Sequence, residues 1–274
     1  MYANPATAPS RTAVTVPQLH ARKQAGEKIV MVTAYDASFA AAVDASGIDV
    51  VLVGDSLGMV IQGESSTLPV SLDHMVYHSA AVARGLHKAL LIADLPFMSY
   101  PTREQAYASS ARLIGEGRAA MVKLEGGGWA ADVIHALAER DIPVCAHLGL
   151  TPQSVHKLGG YRVQGRDEER AERLLADARA VSAAGADLLV LECVPSALAQ
   201  RITREVAIPT IGIGAGPHCD GQVLVMYDLL GLTPGKRPRF SKNFLAGHDS
   251  IASALQAYAA AVRNGEFPAP EHSY

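Results

Sequence analysis

No charge of one sign dominates this sequence: 24 Lys and Arg stand against 27 Asp and Glu in 274 residues, a formal net charge of -3. A protein held to nucleic acid by phosphate contacts carries a marked basic excess, so nucleic acid is not the main partner. Cysteine is equally sparse. Cys145, Cys193 and Cys219 are odd in number, far apart and never in a C-x-x-C pair. That argues against a disulfide framework or structural zinc site, and for reduced thiols in a cytoplasmic compartment. Long apolar runs are missing as well. Gly, Asp or Lys interrupts each one before the roughly 18 residues a bilayer span needs, so no membrane partner is expected. The N-terminus, rich in Ala, Pro and Thr, lacks the basic start and apolar stretch of a signal peptide. It reads as a flexible tail over residues 1–15.

What is present is a regular alternation. Short runs rich in Val, Ile and Leu, at residues 30–36, 50–56, 89–97, 121–127, 143–148, 188–194, 209–214 and 223–230, predict eight strands. Between them apolar residues recur at three and four, predicting helices over 71–87, 103–116, 129–140, 167–184, 195–206 and 249–263. A further helix is expected at Val16–Ala25, ahead of the first strand. Strands apolar on both faces suit a parallel sheet covered by helices. Eight βα units in one chain of this length favour a closed (β/α)8 TIM barrel over an open, doubly wound sheet. No linker divides the chain, so residues 16–265 are expected to form one barrel domain, followed by a C-terminal tail at 266–274.

In such a barrel the chemistry sits where strands end. Asp55, Asp94, Glu125 and Glu192 all occupy such positions, and Asp36, His147 and Asp228 occupy similar ones. A single strand-end Asp is usually a helix cap. Several carboxylates in one cavity are different, because a pair about 4 Å apart repels by roughly 4 kcal/mol at an effective dielectric of 20. They need a cation or a retained proton. Oxygen-only donors from Asp55, Asp94 and Glu125 suit a hard ion such as Mg²⁺, other divalent ions being allowed, whereas zinc would draw on His or Cys. Lys123 lies two residues before Glu125 and therefore on the same strand face, as a buried salt bridge or as a contact to an anionic substrate. Glu192 is a candidate general base. Together these groups suit removal of a proton next to the carbonyl of a 2-oxo acid, with the ion lowering the energy of the enolate. The residues alone leave open whether that enolate attacks an electrophile, is reprotonated, or arises by carbon–carbon cleavage in reverse.

Five runs in order carry a resemblance: Val53-Gly54-Asp55-Ser56-Leu57-Gly58-Met59, Ala93-Asp94-Leu95-Pro96-Phe97-Met98, Val122-Lys123-Leu124-Glu125-Gly126-Gly127, His147-Leu148-Gly149-Leu150-Thr151-Pro152-Gln153 and Leu191-Glu192-Cys193-Val194-Pro195. Over residues 14–261 the chain resembles the 3-methyl-2-oxobutanoate hydroxymethyltransferase (ketopantoate hydroxymethyltransferase) family. The resemblance implies a (β/α)8 barrel of the phosphoenolpyruvate/pyruvate type acting in pantothenate and coenzyme A biosynthesis. It implies transfer of a one-carbon unit from 5,10-methylenetetrahydrofolate to 3-methyl-2-oxobutanoate, giving 2-dehydropantoate. Metal ligands then fall on Asp55, Asp94 and Glu125, substrate contacts on Asp55, Ser56, Asp94 and Lys123, and the proton acceptor on Glu192. His147 matches a position near the active site without an assigned role. A homo-oligomer is implied, the family being frequently decameric.

Other readings compete. A metal-dependent lyase or mutase on the same barrel would normally supply a Lys-Lys-Cys-Gly-His run, which is absent from the sequence. Gly54-Asp55-Ser56-Leu57-Gly58 satisfies the G-x-S-x-G pattern of a serine hydrolase, but that reading gives Asp94, Glu125 and Lys123 no purpose. A non-catalytic barrel would be expected to have lost a metal carboxylate, and none is missing. Gly212, Gly214 and Gly216 fit close packing better than anion binding, and His74 and His78 lack the Glu of a zincin motif. The basic loop Lys236, Arg237, Arg239 and Lys242 reads as a folate-tail contact or as a solvated loop. The Gly-rich residues 158–165 read as a mobile lid.

Overall fold

The computed structural model describes residues 12–274 apart from Pro234 and Lys236. Residues 1–11 of the expected tail, and Lys236 of the basic loop, lie outside the described residues. Eight parallel strands pair in sequence order: β1 (Ile29–Thr33), β2 (Val50–Val53), β3 (Leu90–Asp94), β4 (Met121–Glu125), β5 (Val144–Gly149), β6 (Leu188–Glu192), β7 (Thr210–Ile213) and β8 (Gly221–Leu224). Pairing of β8 with β1 closes the ring, which excludes the open sheet. The first seven strands fall in the predicted windows to within a residue.

Two apolar layers result from the alternation of side chains along each strand. Ile29, Met31, Leu52, Ile92, Met121, Cys145, Leu188, Val190 and Ile211 point inward and fill the barrel. Their neighbours Val30, Val32, Val51, Val53, Ala93, Leu124 and Leu189 point outward against the helices. Helix Val16–Ala25 forms as predicted and crosses the open lower end, with fully buried Leu19 in the inward layer. Val14 joins that layer and its N–H donates to Lys88 O at 2.7 Å, so residues from Val14 onward are fixed to the barrel.

The eighth strand departs from expectation. β8 ends at Leu224, and Met226–Leu229 form a short helix whose first N–H donates to Thr33 Oγ1 at 2.9 Å. A short buried apolar run satisfies strand and helix patterns alike, so periodicity could not separate them. Gly221 lets β8 lie close against β1, because a Cβ there would stand 2.3 Å from Ile29 O. Asp228 therefore lies on a helix, bonded to Thr233 Oγ1 at 2.5 Å, and is not a strand-end residue. Asp36 is likewise a helix cap, accepting from Phe39 N at 2.9 Å at the start of Ala37–Ala45. The segment 266–274, expected as a tail, packs on the barrel: Phe267 is buried and Tyr274 O accepts from Ser196 N at 2.9 Å.

Candidate active site

Strand register brings the site together. Asp94 on β3 lies opposite Lys123 on β4, and Glu125 lies opposite His147 on β5. All four point inward above the apolar layer, and each is at most 4% exposed. Glu192, at the end of β6, is the more open member, its side chain 15% exposed. Asp55 sits one residue beyond the β2 alternation, carried by the turn into Leu57–Val60. Gly54 makes room for it, since a Cβ there would stand 2.8 Å from Ser56 Oγ and 3.4 Å from Asp94 Oδ2.

The contacts are specific. Lys123 Nζ donates to Asp94 Oδ1 at 2.6 Å, and Asp55 N donates to Asp94 Oδ2 at 3.0 Å. Burial disfavours the Lys123 ammonium, but Asp94, Glu125 and Asp55 outweigh it and hold its pKa above the usual range. Asp55 has the opposite problem: burial, then the charges of Asp94 and Glu125, push its carboxyl well above the usual carboxylate range despite Lys123 and Gln153. Formal charges of three carboxylates and one ammonium leave an excess that a dication would balance.

His147 stands between two carboxylates, with Nδ1 3.3 Å from Glu125 Oε1 and Nε2 3.3 Å from Glu192 Oε2. Neither contact has hydrogen-bond geometry, so these nitrogens and Glu125 Oε1 are buried polar atoms without a bonded partner. Burial and Lys123 oppose the proton on His147, yet the flanking carboxylates push its pKa up to about 9. A group raised from 6.5 to about 9 on folding favours the fold most while it is protonated in both states. Wild type is therefore expected to lose stability relative to His147→Gln as pH rises from about 6.5 through about 9, and to hold a constant difference below that window. Chemical denaturation in chelator across this range tests it; a flat difference would place the proton elsewhere.

Several site residues were not singled out from the sequence. Gln153 ties the cluster together: Nε2 donates to Asp55 Oδ2 (2.8 Å) and Leu95 O (3.0 Å), and its N–H donates to Glu125 Oε2 (2.9 Å). Its Oε1 accepts from Tyr100 OH at 2.7 Å. Tyr35 OH pairs with Ser56 Oγ at 2.9 Å. Gln153 stood inside a motif but carries no charge, and the tyrosines had no local signal. Tyr161 OH donates to Met59 Sδ at 3.5 Å, linking the expected lid to the β2 loop, and Gln164 N donates to Cys193 O at 2.9 Å.

The weaker signals fall among local contacts. Ser56 is bonded to a tyrosine rather than to a histidine base, which removes the basis of the hydrolase reading. His74 caps its own helix with Ser71, and His78 Nδ1 contacts Tyr35 O at 2.7 Å. A Cβ on Gly216 would stand 2.1 Å from Ser196 Oγ, a packing constraint. Arg237 donates to Gly231 O, Arg239 donates to Glu271 O, and Lys242 lies 4.9 Å from the Phe244 ring. No helix among the described residues is long and apolar enough to cross a membrane.

The donor set fits a hard cation: Asp55, Asp94 and Glu125 offer only oxygen, and the buried Glu125 Oε1 is unbonded. Among the described residues, no three His, Cys, Asp or Glu side chains form a finished cage. Asp94 is turned to Lys123 and Asp55 to Gln153.

Comparison with known proteins gives the barrel and the family. Among solved structures, phosphoenolpyruvate phosphomutase from Streptomyces platensis subsp. rosaceus aligns with a TM-score of 0.60 at 15% identity, covering 79% of this chain and 82% of that one. A putative phosphonomutase from Burkholderia cenocepacia J2315 aligns at 0.62 and 20% identity, covering 79% and 94%. 2,3-Dimethylmalate lyase, described as a PEP mutase/isocitrate lyase superfamily member, aligns at 0.56 and 19% identity, covering 79% and 81%. At such identities the likeness concerns the barrel. The 3-methyl-2-oxobutanoate hydroxymethyltransferases of Burkholderia mallei (strain SAVP1) and Burkholderia pseudomallei (strain 668) are each 58% identical over 265 residues, 97% of either chain. The sequence model of ketopantoate hydroxymethyltransferase matches residues 13–270. With the match spanning the whole barrel, the chain belongs to the ketopantoate hydroxymethyltransferase family and is a transferase.

Proposed function

We propose that the enzyme transfers the one-carbon unit of 5,10-methylenetetrahydrofolate to C3 of 3-methyl-2-oxobutanoate, with one water consumed, giving 2-dehydropantoate and tetrahydrofolate. The observation that carries this reading is the split of the site into two parts. Asp55, Asp94, Lys123 and Glu125 form one buried charged cluster, and the more open Glu192 lies across His147 from it. One part suits holding the acid and keto end of a substrate, the other suits taking a proton from its far carbon. The folate donor rests on family membership.

Asp55, Asp94 and Glu125 would hold a divalent ion, Mg²⁺ or a similar one, which supplies Lewis-acid polarisation of the 2-oxo acid and lowers the energy of its enolate. Asp55, Ser56, Asp94 and Lys123 would bind and orient the substrate, with Lys123 offering its ammonium to the anion. Glu192 accepts the C3 proton; water releases the methylene carbon from the donor's two nitrogens as formaldehyde, leaving tetrahydrofolate, and the electron pair freed at C3 bonds to that carbon while its oxygen takes up the proton to become the product's hydroxyl. His147, whose pKa the flanking carboxylates push up against its burial, stands 3.3 Å from both Glu192 and Glu125 and would orient the base. The three free cysteines suit a cytoplasmic enzyme, and the homo-oligomer, frequently a decamer, rests on family membership. A phosphonopyruvate hydrolase solved in complex with oxalate and Mg²⁺ shares the barrel at a TM-score of 0.59 and 13% identity.

NMR of 3-methyl-2-oxobutanoate in D₂O separates the steps. Exchange of the C3 proton is expected with Mg²⁺ and no folate, and product only when 5,10-methylenetetrahydrofolate is added. Product without folate, or exchange undiminished by exhaustive chelation, would overturn the assignment.

A further inference from the structure

The last residues of the chain reach the turn that carries Glu192. Phe267 anchors them, its ring 5.4 Å from Phe244 and 5.9 Å from Tyr258, and the His272 ring lies 5.2 Å further along. The chain then arrives at Tyr274, whose main-chain oxygen accepts from Ser196 N at 2.9 Å, at the start of helix Ser196–Glu205. The Tyr274 ring lies against Gly214, where a Cβ would stand 3.1 Å from its Cε2. The Arg239 guanidinium sits 5.5 Å from the ring centroid, itself held by Glu271 O at 3.0 Å.

The turn beside Tyr274 is strained. Cys193, directly after Glu192, has φ of 48°, a left-handed conformation that costs a non-glycine residue on the order of 1–3 kcal/mol and persists only when its surroundings impose it. Backbone bonds hold this turn from two neighbours: Cys193 N donates to Ile213 O (2.9 Å) and Val194 N to Gly214 O (3.2 Å), while Gln164 N donates to Cys193 O (2.9 Å). The Tyr274 hydroxyl faces the Cys193 sulfur. Tyr274 thus packs against Gly214, one of the residues to which the turn is bonded.

We infer that Tyr274 is a positioning residue: its ring, wedged between Gly214 and Arg239, holds the Cys193 turn and so fixes the direction in which Glu192 presents its carboxylate. This rests on the reading of Glu192 as the base. Tyr274 is itself partly exposed, so its ring contributes little to the core, and its effect is on alignment rather than on folding.

The test uses the full chain with Mg²⁺ and measures C3 proton exchange of 3-methyl-2-oxobutanoate, together with Tm, for Tyr274→Ala, Tyr274→Phe and Glu192→Gln. Tyr274→Ala is expected to lower kcat for exchange by about 10²-fold, with KM nearly unchanged, because a misplacement of about 1 Å is enough for that loss. Tyr274→Phe keeps the ring and is expected to restore most of the rate. Wild-type exchange in Tyr274→Ala, with exchange lost in Glu192→Gln, overturns the positioning role and leaves the base intact. Exchange persisting in Glu192→Gln removes the base and the inference with it. A loss of kcat that accompanies a raised KM and a collapsed Tm, without rescue by Phe, marks a structural role and also overturns the inference.

Discussion

Glu192→Gln is expected to slow C3 proton exchange of 3-methyl-2-oxobutanoate by about 10²–10⁴-fold, the range a positioned general base contributes. Binding of the oxo acid should persist. The amide keeps the size of the carboxylate but cannot take up the proton, while the groups proposed to hold the substrate, Asp55, Ser56, Asp94 and Lys123, are untouched. Position favours Glu192 over Asp55, Asp94 and Glu125 for this role. Those three are buried and bonded to Lys123 or Gln153, whereas Glu192 keeps an accessible edge and touches His147 at 3.3 Å. Isothermal binding and the NMR exchange assay together check the split. Unchanged exchange would transfer the base role to His147 or a water molecule.

Asp94→Ala is expected to abolish metal-dependent activity and also to destabilise the fold by about 3–5 kcal/mol, because it leaves the Lys123 ammonium buried without its partner. The pair is 2.6 Å apart with side chains 5% and 3% exposed, so neither group can regain water. For a chain of this size that corresponds to a fall in Tm on the order of 10 °C. The double replacement Asp94→Leu with Lys123→Met removes both charges and is expected to recover most of the stability, since a buried ion pair exchanged for apolar groups is often neutral. Activity should not return. Denaturant unfolding of the two single variants and the double variant measures the coupling, and strict additivity would show that the two groups do not stabilise one another.

The barrel was legible because its signal is periodic and local. Each inward and outward layer alternates along a strand of four to six residues, and each helix repeats at three and four, so neither depends on distant sequence. The exception, residues 223–230, was a buried run whose pattern fits a strand and a short helix alike. The strand-end residues Asp55, Asp94, Lys123, Glu125, His147 and Glu192 were legible for a related reason: a charge inside an apolar run stands out. Asp36 and Asp228 stood out equally and proved to be a cap and a helix residue, because composition does not say which way a side chain faces.

By itself, then, the sequence determined the eight βα units and which charged groups would lie near one mouth, since both follow from hydrophobic pattern and strand direction. Only the tertiary structure decided who pairs with whom. Lys123 could have faced any of three carboxylates, and the register of β3 with β4 gives it Asp94. Gln153 bonds Asp55 across 98 positions, and the Tyr274 ring lies against Gly214 beside the turn after Glu192. Neither side chain carries a charge that could have marked it, and each meets its partner only because closing the ring and folding residues 266–274 back on the barrel bring distant segments into contact.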